Sequence, residues 1–423
     1  MNRRDLIQFG GAAALLGLTG CAGLGSGAGK AKVLVVGGGF GGAAAARYVR
    51  MLSQQRVDVT LVEPQPTFIS CPMSNLVLGG SKTIAQITLP YDTLAESRGV
   101  RLVRDRVTAI DMQKKVATLS SGTTIAYDKL VLSPGIDMML DSVPGLQAAH
   151  DAGATLHAWK AGTETVQLRK QLEAMPDGGV FAITVPEMPY RCPPGPYERA
   201  SLVAEYFKSA KPRSKVLILD ANKDVVVKGA LFKKVWTEDY AGLVEHRPLH
   251  KLVGVEGRVL KFEGREDVRV DVSNVIPAMR AGRIALQTGL APAGGRWCPV
   301  QYLNFESTIA RDVHLIGDAV VSPPGMPKSG HLANNQAKVV AAAIVAELNG
   351  WDLNRAPVLM NACYSVVSTK SAIHLANIYE YASADKTFKP VLPLPGGLSA
   401  APSELEGHYA WDWARATWAD TLA

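Results

Sequence analysis

Lys32-Val33-Leu34-Val35-Val36-Gly37-Gly38-Gly39-Phe40-Gly41-Gly42 is the stretch that decides the fold. The run from Lys32 to Val36 has the near-continuous apolar character of a strand buried on both faces. Gly37, Gly39 and Gly42 then give the spacing G-x-G-x-x-G, followed by a helix predicted from about Ala43 to Ser53. A second strand, Val57 to Val62, ends in the acidic residue Glu63. In a βαβ unit these glycines permit the tight turn, the close approach of a pyrophosphate and helix–strand packing, while the acid suits a ribose 2′-hydroxyl. The helix N-terminus favours the diphosphate charge. A glycine fingerprint alone is weak; strand, helix and Glu63 together read as a dinucleotide site.

Val313-His314-Leu315-Ile316-Gly317-Asp318 specifies which dinucleotide. It resembles the second FAD motif of flavoproteins with two dinucleotide folds, in which the Asp, here Asp318 after Gly317, binds the ribitol. A helix predicted from near His331 would direct its N-terminal dipole at the flavin. An ordinary turn at Gly317-Asp318 is the bland alternative.

A second βαβ unit runs through a strand Gly179 to Val185, a helix Tyr197 to Ala210 and a strand Val216 to Leu219. Where its phosphate-binding glycines belong, the chain reads T-V-P-E-M-P-Y-R-C-P-P-G-P-Y-E-R-A-S from Thr184 to Ser201, with Cys192 fenced by Pro193, Pro194 and Pro196. A cysteine in that place argues for electrons taken from sulfur rather than from NAD(P)H.

The 423 residues are too many for one ordinary domain, and a net charge of +7 without basic–aromatic interleaving argues against nucleic acid. The divisions read are a signal over residues 1–30, an FAD-binding domain over 31–150 and 275–350, a second Rossmann-like domain over 151–274, and a C-terminal α+β interface domain over 351–423. Arg101 to Asp111 and Val116 to Tyr127 read as strands, and Arg258 to Val272 as a hairpin. Arg3-Arg4 before a short apolar run resembles a twin-arginine export signal, which implies a periplasmic protein. Leu18-Thr19-Gly20-Cys21 looks like a lipobox, so Cys21 is equally compatible with a lipid tether and with chance placement.

Four cysteines remain beyond the signal, none of them spaced C-x-x-C, which argues against a zinc site or a haem attachment in this chain. Cys71 lies just after Glu63, on a segment expected to run along the flavin. It reads as a covalent anchor or as a small buried hydrophobe. Cys192 and Cys363 are 171 positions apart, and a bridge between them would be structural or redox-active. Cys298 looks like a packed core thiol. Glu198, on the first turn of the predicted helix, is read equally as a proton acceptor or as a charge favouring the helix N-terminus. His157, His314 and His331 read as isolated structural histidines.

These segments resemble the flavoprotein subunit of flavocytochrome c sulfide dehydrogenase from about Lys32 onward, most specifically over Arg191–Ser201 and also in the Cys71 segment, Trp297-Cys298-Pro299-Val300, Met326 to Gly330 and Cys363-Tyr364-Ser365. The resemblance implies an α/β chain with two Rossmann-like domains of the glutathione-reductase type. It also implies FAD held through an 8α-S-cysteinyl bond from Cys71, a redox-active Cys192–Cys363 disulfide beside it, and Glu198 at the same site. Pro72-Met73 departs from the family pattern and puts the covalent bond in doubt. The expected activity is oxidation of hydrosulfide to zero-valent sulfur or polysulfide, with a c-type cytochrome subunit carrying the haem. A sulfide:quinone oxidoreductase, expected to show a membrane-inserting C-terminus, and an accessory flavoprotein of a periplasmic sulfur-oxidation system are the competing readings.

Overall fold

The computed structural model describes residues 30–423; the twin-arginine and lipobox readings, including Cys21, lie outside them. Strand β1 (Lys32–Val36) leads into helix α1 (Phe40–Leu52), then β2 (Asp58–Val62), α2 (Ser74–Gly79), β3 (Arg101–Val103) and β4 (Lys129–Leu132). Val33 to Val36 are all buried, as the apolar run requires. Helix α1 begins at Phe40, three residues before its predicted start, because Gly41 and Gly42 lie within its first turn. A Cβ on Gly42 would stand 1.8 Å from the Gly37 carbonyl oxygen, so only glycine allows that turn to close.

The second unit contains α3 (Thr163–Ala174), β5 (Val180–Val185), α4 (Gly195–Ala210), β6 (Lys215–Asp220), α5 (Gly229–Glu238), β7 (Val244–Arg247) and β8 (Val272–Val275). The chain then returns to the first unit through β9 (Val313–Leu315) and α6 (Gly330–Asn349). It finishes with strands β10 (Val358–Val366), β11 (Ala372–Ala382) and β12 (Thr387–Pro390) and helix α7 (Glu404–Leu422).

In the first sheet β9, β4, β1, β2 and β3 run parallel in that order, with two short antiparallel strands, Val300–Gln301 and Glu306–Ser307, beyond β9. In the second, Thr155–Leu156, β8, β5, β6 and β7 are all parallel. Both are doubly wound α/β layers whose carboxyl ends open a crevice. β10, β11 and β12 form an antiparallel sheet.

Arg101 to Asp111 is not one strand. It breaks at Arg104-Asp105-Arg106, where the Asp105 carboxylate accepts the Ser121 N–H at 3.2 Å, and Val107–Asp111 joins an antiparallel meander with Val116–Leu119 and Thr124–Ala126. The hairpin expected over Arg258 to Val272 is formed by Val259–Phe262 and Val268–Arg269, and the earlier strand Leu252–Glu256 adds to it on the other side of Val259–Phe262. The C-terminal region has no core of its own. Leu359, Tyr379, Phe388, Ala410, Ala414, Trp418 and Leu422 pack in one continuous cluster with the first sheet, whereas Val367 and Ile373 pack with the second unit.

Candidate active site

One cavity of about 620 Å³ lies where the two units and the C-terminal sheet meet. Its wall carries Gly39, Glu63, Cys71, Cys192, Glu198, Gly317, Asp318 and Cys363. Gly37 and Gly42 stand behind Gly39 and shape the turn. A Cβ on Gly39 would meet nothing within 4 Å, so that backbone faces open space. Glu63 accepts the Gly38 N–H at 2.7 Å and the Gln65 N–H at 2.8 Å, which holds its carboxylate at the mouth of the glycine turn.

The residues fit FAD. Asp318 lines the cavity with a buried Oδ1 that has no partner within the chain, an acceptor available to a ribitol hydroxyl. Burial raises its pKa, and the nearby Arg191 and Lys328 oppose that rise. Lys328 is buried over the Trp297 ring at 3.9 Å, and burial pulls its pKa down to about 8. Gly330 and His331, the first residues of α6, also line the cavity.

Cys71 lies on the wall with its Sγ 3.5 Å from the Ala161 N–H. Its segment is pinned from the far end of the chain, where Trp418 Nε1 donates to Ser70 Oγ at 2.8 Å. Pro72-Met73 is accommodated: Met73 takes φ 73° and caps α2 while its side chain is buried.

Cys192 sits at φ 57°, immediately before α4. Pro194 caps that helix and Pro196 lies in its first turn, where a missing N–H costs nothing, so α4 starts at Gly195 rather than Tyr197. A Cβ on Gly195 would stand 3.0 Å from Cys192 Sγ, so glycine lets the helix end approach the sulfur. Burial, then the neighbouring Cys363 and Glu198, push the Cys192 thiol pKa well up. The Glu198 carboxyl is buried and its pKa is raised to about 7, with Asn75 Nδ2 donating to Oε1 at 3.0 Å.

Arg191, Arg199 and Lys228 carry roles around these groups that the sequence did not assign. Arg199 is buried and donates to Asn75 Oδ1, to the His157 and Ala158 carbonyls and to Asn274 Oδ1 at 2.7–2.9 Å, which clamps α2 to α4. Arg191 stands between Cys71, Asp318 and Cys192. Lys228 Nζ reaches the Cys363 carbonyl at 2.7 Å and its Sγ at 3.8 Å. His331 is not isolated: its Nδ1 accepts the Ala362 N–H at 2.9 Å and so fixes the strand that bears Cys363. His157 is not isolated either, lying 2.8 Å from Glu164 and stacked on His150. His314 is buried in the core as expected, and so is Cys298, whose thiol pKa burial raises to about 11. Arg191 and Arg199 stood inside the Arg191–Ser201 match and His331 adjoined the Met326–Gly330 match; Lys228 carries no sequence signal.

Two doubly wound units with a glycine-turn pocket and a cysteine beside its inner end define a flavoprotein of the disulfide-oxidoreductase class. Residues 31–171 match the pyridine nucleotide-disulphide oxidoreductase model. Residues 165–277 match the central region of the sulfide dehydrogenase (flavocytochrome c) flavoprotein chain, and residues 355–422 match the flavin-binding region of flavocytochrome c sulphide dehydrogenase. The chain is 55% identical over 49 residues, 12% of its length, to the whole available sequence (100%) of the sulfide dehydrogenase flavoprotein chain of Chlorobaculum thiosulfatiphilum. The chain belongs to this family of sulfide-oxidising flavoproteins. It is also 24% identical over 342 residues to the mitochondrial sulfide:quinone oxidoreductase of Dictyostelium discoideum, covering 76% of this chain and 72% of that one. In fold it is similar to the sulfide:quinone oxidoreductase of Aquifex aeolicus, with TM-score 0.75 and 17% identity over 92% of this chain and 91% of that one.

Proposed function

We propose that the protein is a sulfide dehydrogenase that oxidises hydrosulfide to zero-valent sulfur or polysulfide at Cys192 and Cys363 and passes the electrons to a c-type cytochrome. The observation that carries this reading is that two cysteines from opposite halves of the chain share one wall of a flavin cavity with a buried carboxyl whose pKa is about 7. When bound, the flavin supplies a two-electron acceptor able to release its electrons singly. The chain's own residues do the rest. Cys192 and Cys363 form the disulfide that hydrosulfide attacks. Glu198 takes up and releases the sulfur-borne proton, its pKa lying near the operating pH. Arg191 and Lys328 hold positive charge beside Asp318, and Cys71 anchors the cofactor through its sulfur. Export to the periplasm and a haem-bearing partner subunit complete the proposal.

The test is anaerobic cytochrome c reduction by sulfide. Wild type is expected to be active, and Cys192→Ser to lose at least 10³-fold while retaining its flavin. Retained turnover in Cys192→Ser would sink the mechanism.

Transfer to a quinone is the second reading, favoured by the 24% identity to a sulfide:quinone oxidoreductase. Among the described residues no helix is long and apolar enough to cross a membrane, and α7 buries Ala410, Ala414, Trp418 and Leu422 against its own protein. Decylubiquinone in place of cytochrome c decides between the two acceptors.

A further inference from the structure

Cys192 and Cys363 line one cavity in unlike electrical settings. Around Cys192 the charged groups are the Glu198 carboxyl, the Arg191 guanidinium, which also serves Cys71 and Asp318, and, as a smaller influence, the Lys228 ammonium. Cys363 has that ammonium in direct reach. Lys228, in a left-handed turn at the start of α5, is 7% exposed. Its ammonium donates to the Cys363 carbonyl at 2.7 Å, to Ser365 Oγ at 2.9 Å and to the Ile373 carbonyl at 3.3 Å, with Cys363 Sγ at 3.8 Å. No carboxylate among the described residues lies within ion-pair distance of it; the Lys and Arg ion pairs among those residues are made by other cations. The ammonium's direct partners are three neutral oxygens and one sulfur, with the Glu198 carboxyl acting on it only from beyond ion-pair distance, and a buried charge without a close partner is costly. A thiolate on Cys363 would supply that partner.

We infer that Lys228 sets the polarity of the cysteine pair, so that Cys363 departs as thiolate and Cys192 receives the incoming sulfur. The inference rests on the proposed sulfide chemistry and deepens it. Hydrosulfide attacks Cys192 Sγ, a new S–S bond forms there, and the Cys192–Cys363 bond breaks. The electron pair of the broken bond stays on Cys363 Sγ beside Lys228, and the hydrosulfide proton remains on the new persulfide. The products are Cys192–S–SH and Cys363–S⁻, with atoms and charge conserved: the disulfide is reduced and the incoming sulfur oxidised. Thiol–disulfide exchange favours the sulfur whose anion is better stabilised as leaving group, and a cation next to it supplies that stabilisation. Glu198, on the Cys192 side, is placed to take the persulfide proton.

The experiment uses the oxidised, flavin-loaded protein. It is mixed anaerobically with less than one equivalent of sodium hydrosulfide, quenched within milliseconds by an alkylating acid mixture, and mapped by peptide mass. Wild type is expected to carry the extra sulfur on the Cys192 peptide at least about tenfold over the Cys363 peptide. Lys228→Met should erase that preference and Lys228→Arg restore part of it. Ser365→Ala, which removes one ammonium partner but leaves the charge beside Cys363, should keep it. If Lys228→Met does not fold, reduced wild type is treated with limiting iodoacetamide, and Cys363 should be alkylated about tenfold faster than Cys192. Extra sulfur on Cys363 in wild type, or an unchanged distribution in Lys228→Met, overturns the inference and leaves the sulfide reading standing. Extra sulfur on neither peptide, with the hydrosulfide unconsumed, overturns the sulfide reading itself.

Discussion

Glu198 and Lys228 are ordinary side chains set in a buried environment beside the two cysteines. Burial raises the Glu198 pKa to about 7, and Asn75, Lys228 and Arg199 oppose the rise. As a base Glu198 works when ionised, so sulfide oxidation should rise with pH through about 7, and Glu198→Gln should remove that limb and slow turnover by about 10²-fold or more. The same shift acts on stability. A carboxyl whose folded pKa exceeds its unfolded value contributes most below the unfolded value and loses that contribution as pH rises through the folded one. The Tm of Glu198→Gln relative to wild type should therefore climb between pH 5 and pH 8, measured on the cofactor-free protein; a constant difference would contradict the buried-acid assignment. Glu198 was legible because it follows Cys192 in an unusual stretch. Lys228 was not, because its partner Cys363 lies 135 positions away and nothing local marks the contact.

At the scale of elements, the prolines and glycines were the readable signals. Pro194, Pro196 and Gly195 force the end of α4 against Cys192, and Gly42 forces α1 against the β1 turn. What could not be read is how distant elements clamp these turns. Arg199 ties α4 to α2 through Asn75, and Trp418 of α7 ties Ser70, the residue before the flavin-side cysteine, into place. The expected consequence concerns cofactor attachment. Acid-precipitated wild type should keep yellow flavin on the polypeptide, Cys71→Ser should release it, and Trp418→Phe, which deletes the donor to Ser70, should lower the attached fraction about twofold or more. Absorbance of the washed pellet measures all three, and free flavin in wild type would refute the Cys71 bond. Met73 takes a left-handed turn that carries the chain from Pro72 straight into α2.

For the whole molecule, the alternation of strands and helices predicted two doubly wound units, and the chain's exit and return between them are seen in β4 and β9. The expected C-terminal interface domain shares its core with the first unit. Its strands lacked a visible partner in sequence because their apolar residues are completed by a sheet assembled from distant parts of the chain, from Lys32–Val36 to Val313–Leu315, in one shared cluster. Deleting residues 404–423 should therefore not leave an intact flavoprotein lacking an appendage. It should abolish flavin retention and expose apolar surface, raising binding of a hydrophobic dye severalfold, whereas an independent domain would be lost without either effect.

The bond between Trp418 and Ser70 spans 348 positions. During synthesis the glycine turn and both of its strands emerge early, whereas the donor that holds Ser70, beside Cys71, emerges only with α7. Cofactor loading is therefore expected to follow translation, which a ribosome-bound chain lacking α7 would show by failing to retain flavin.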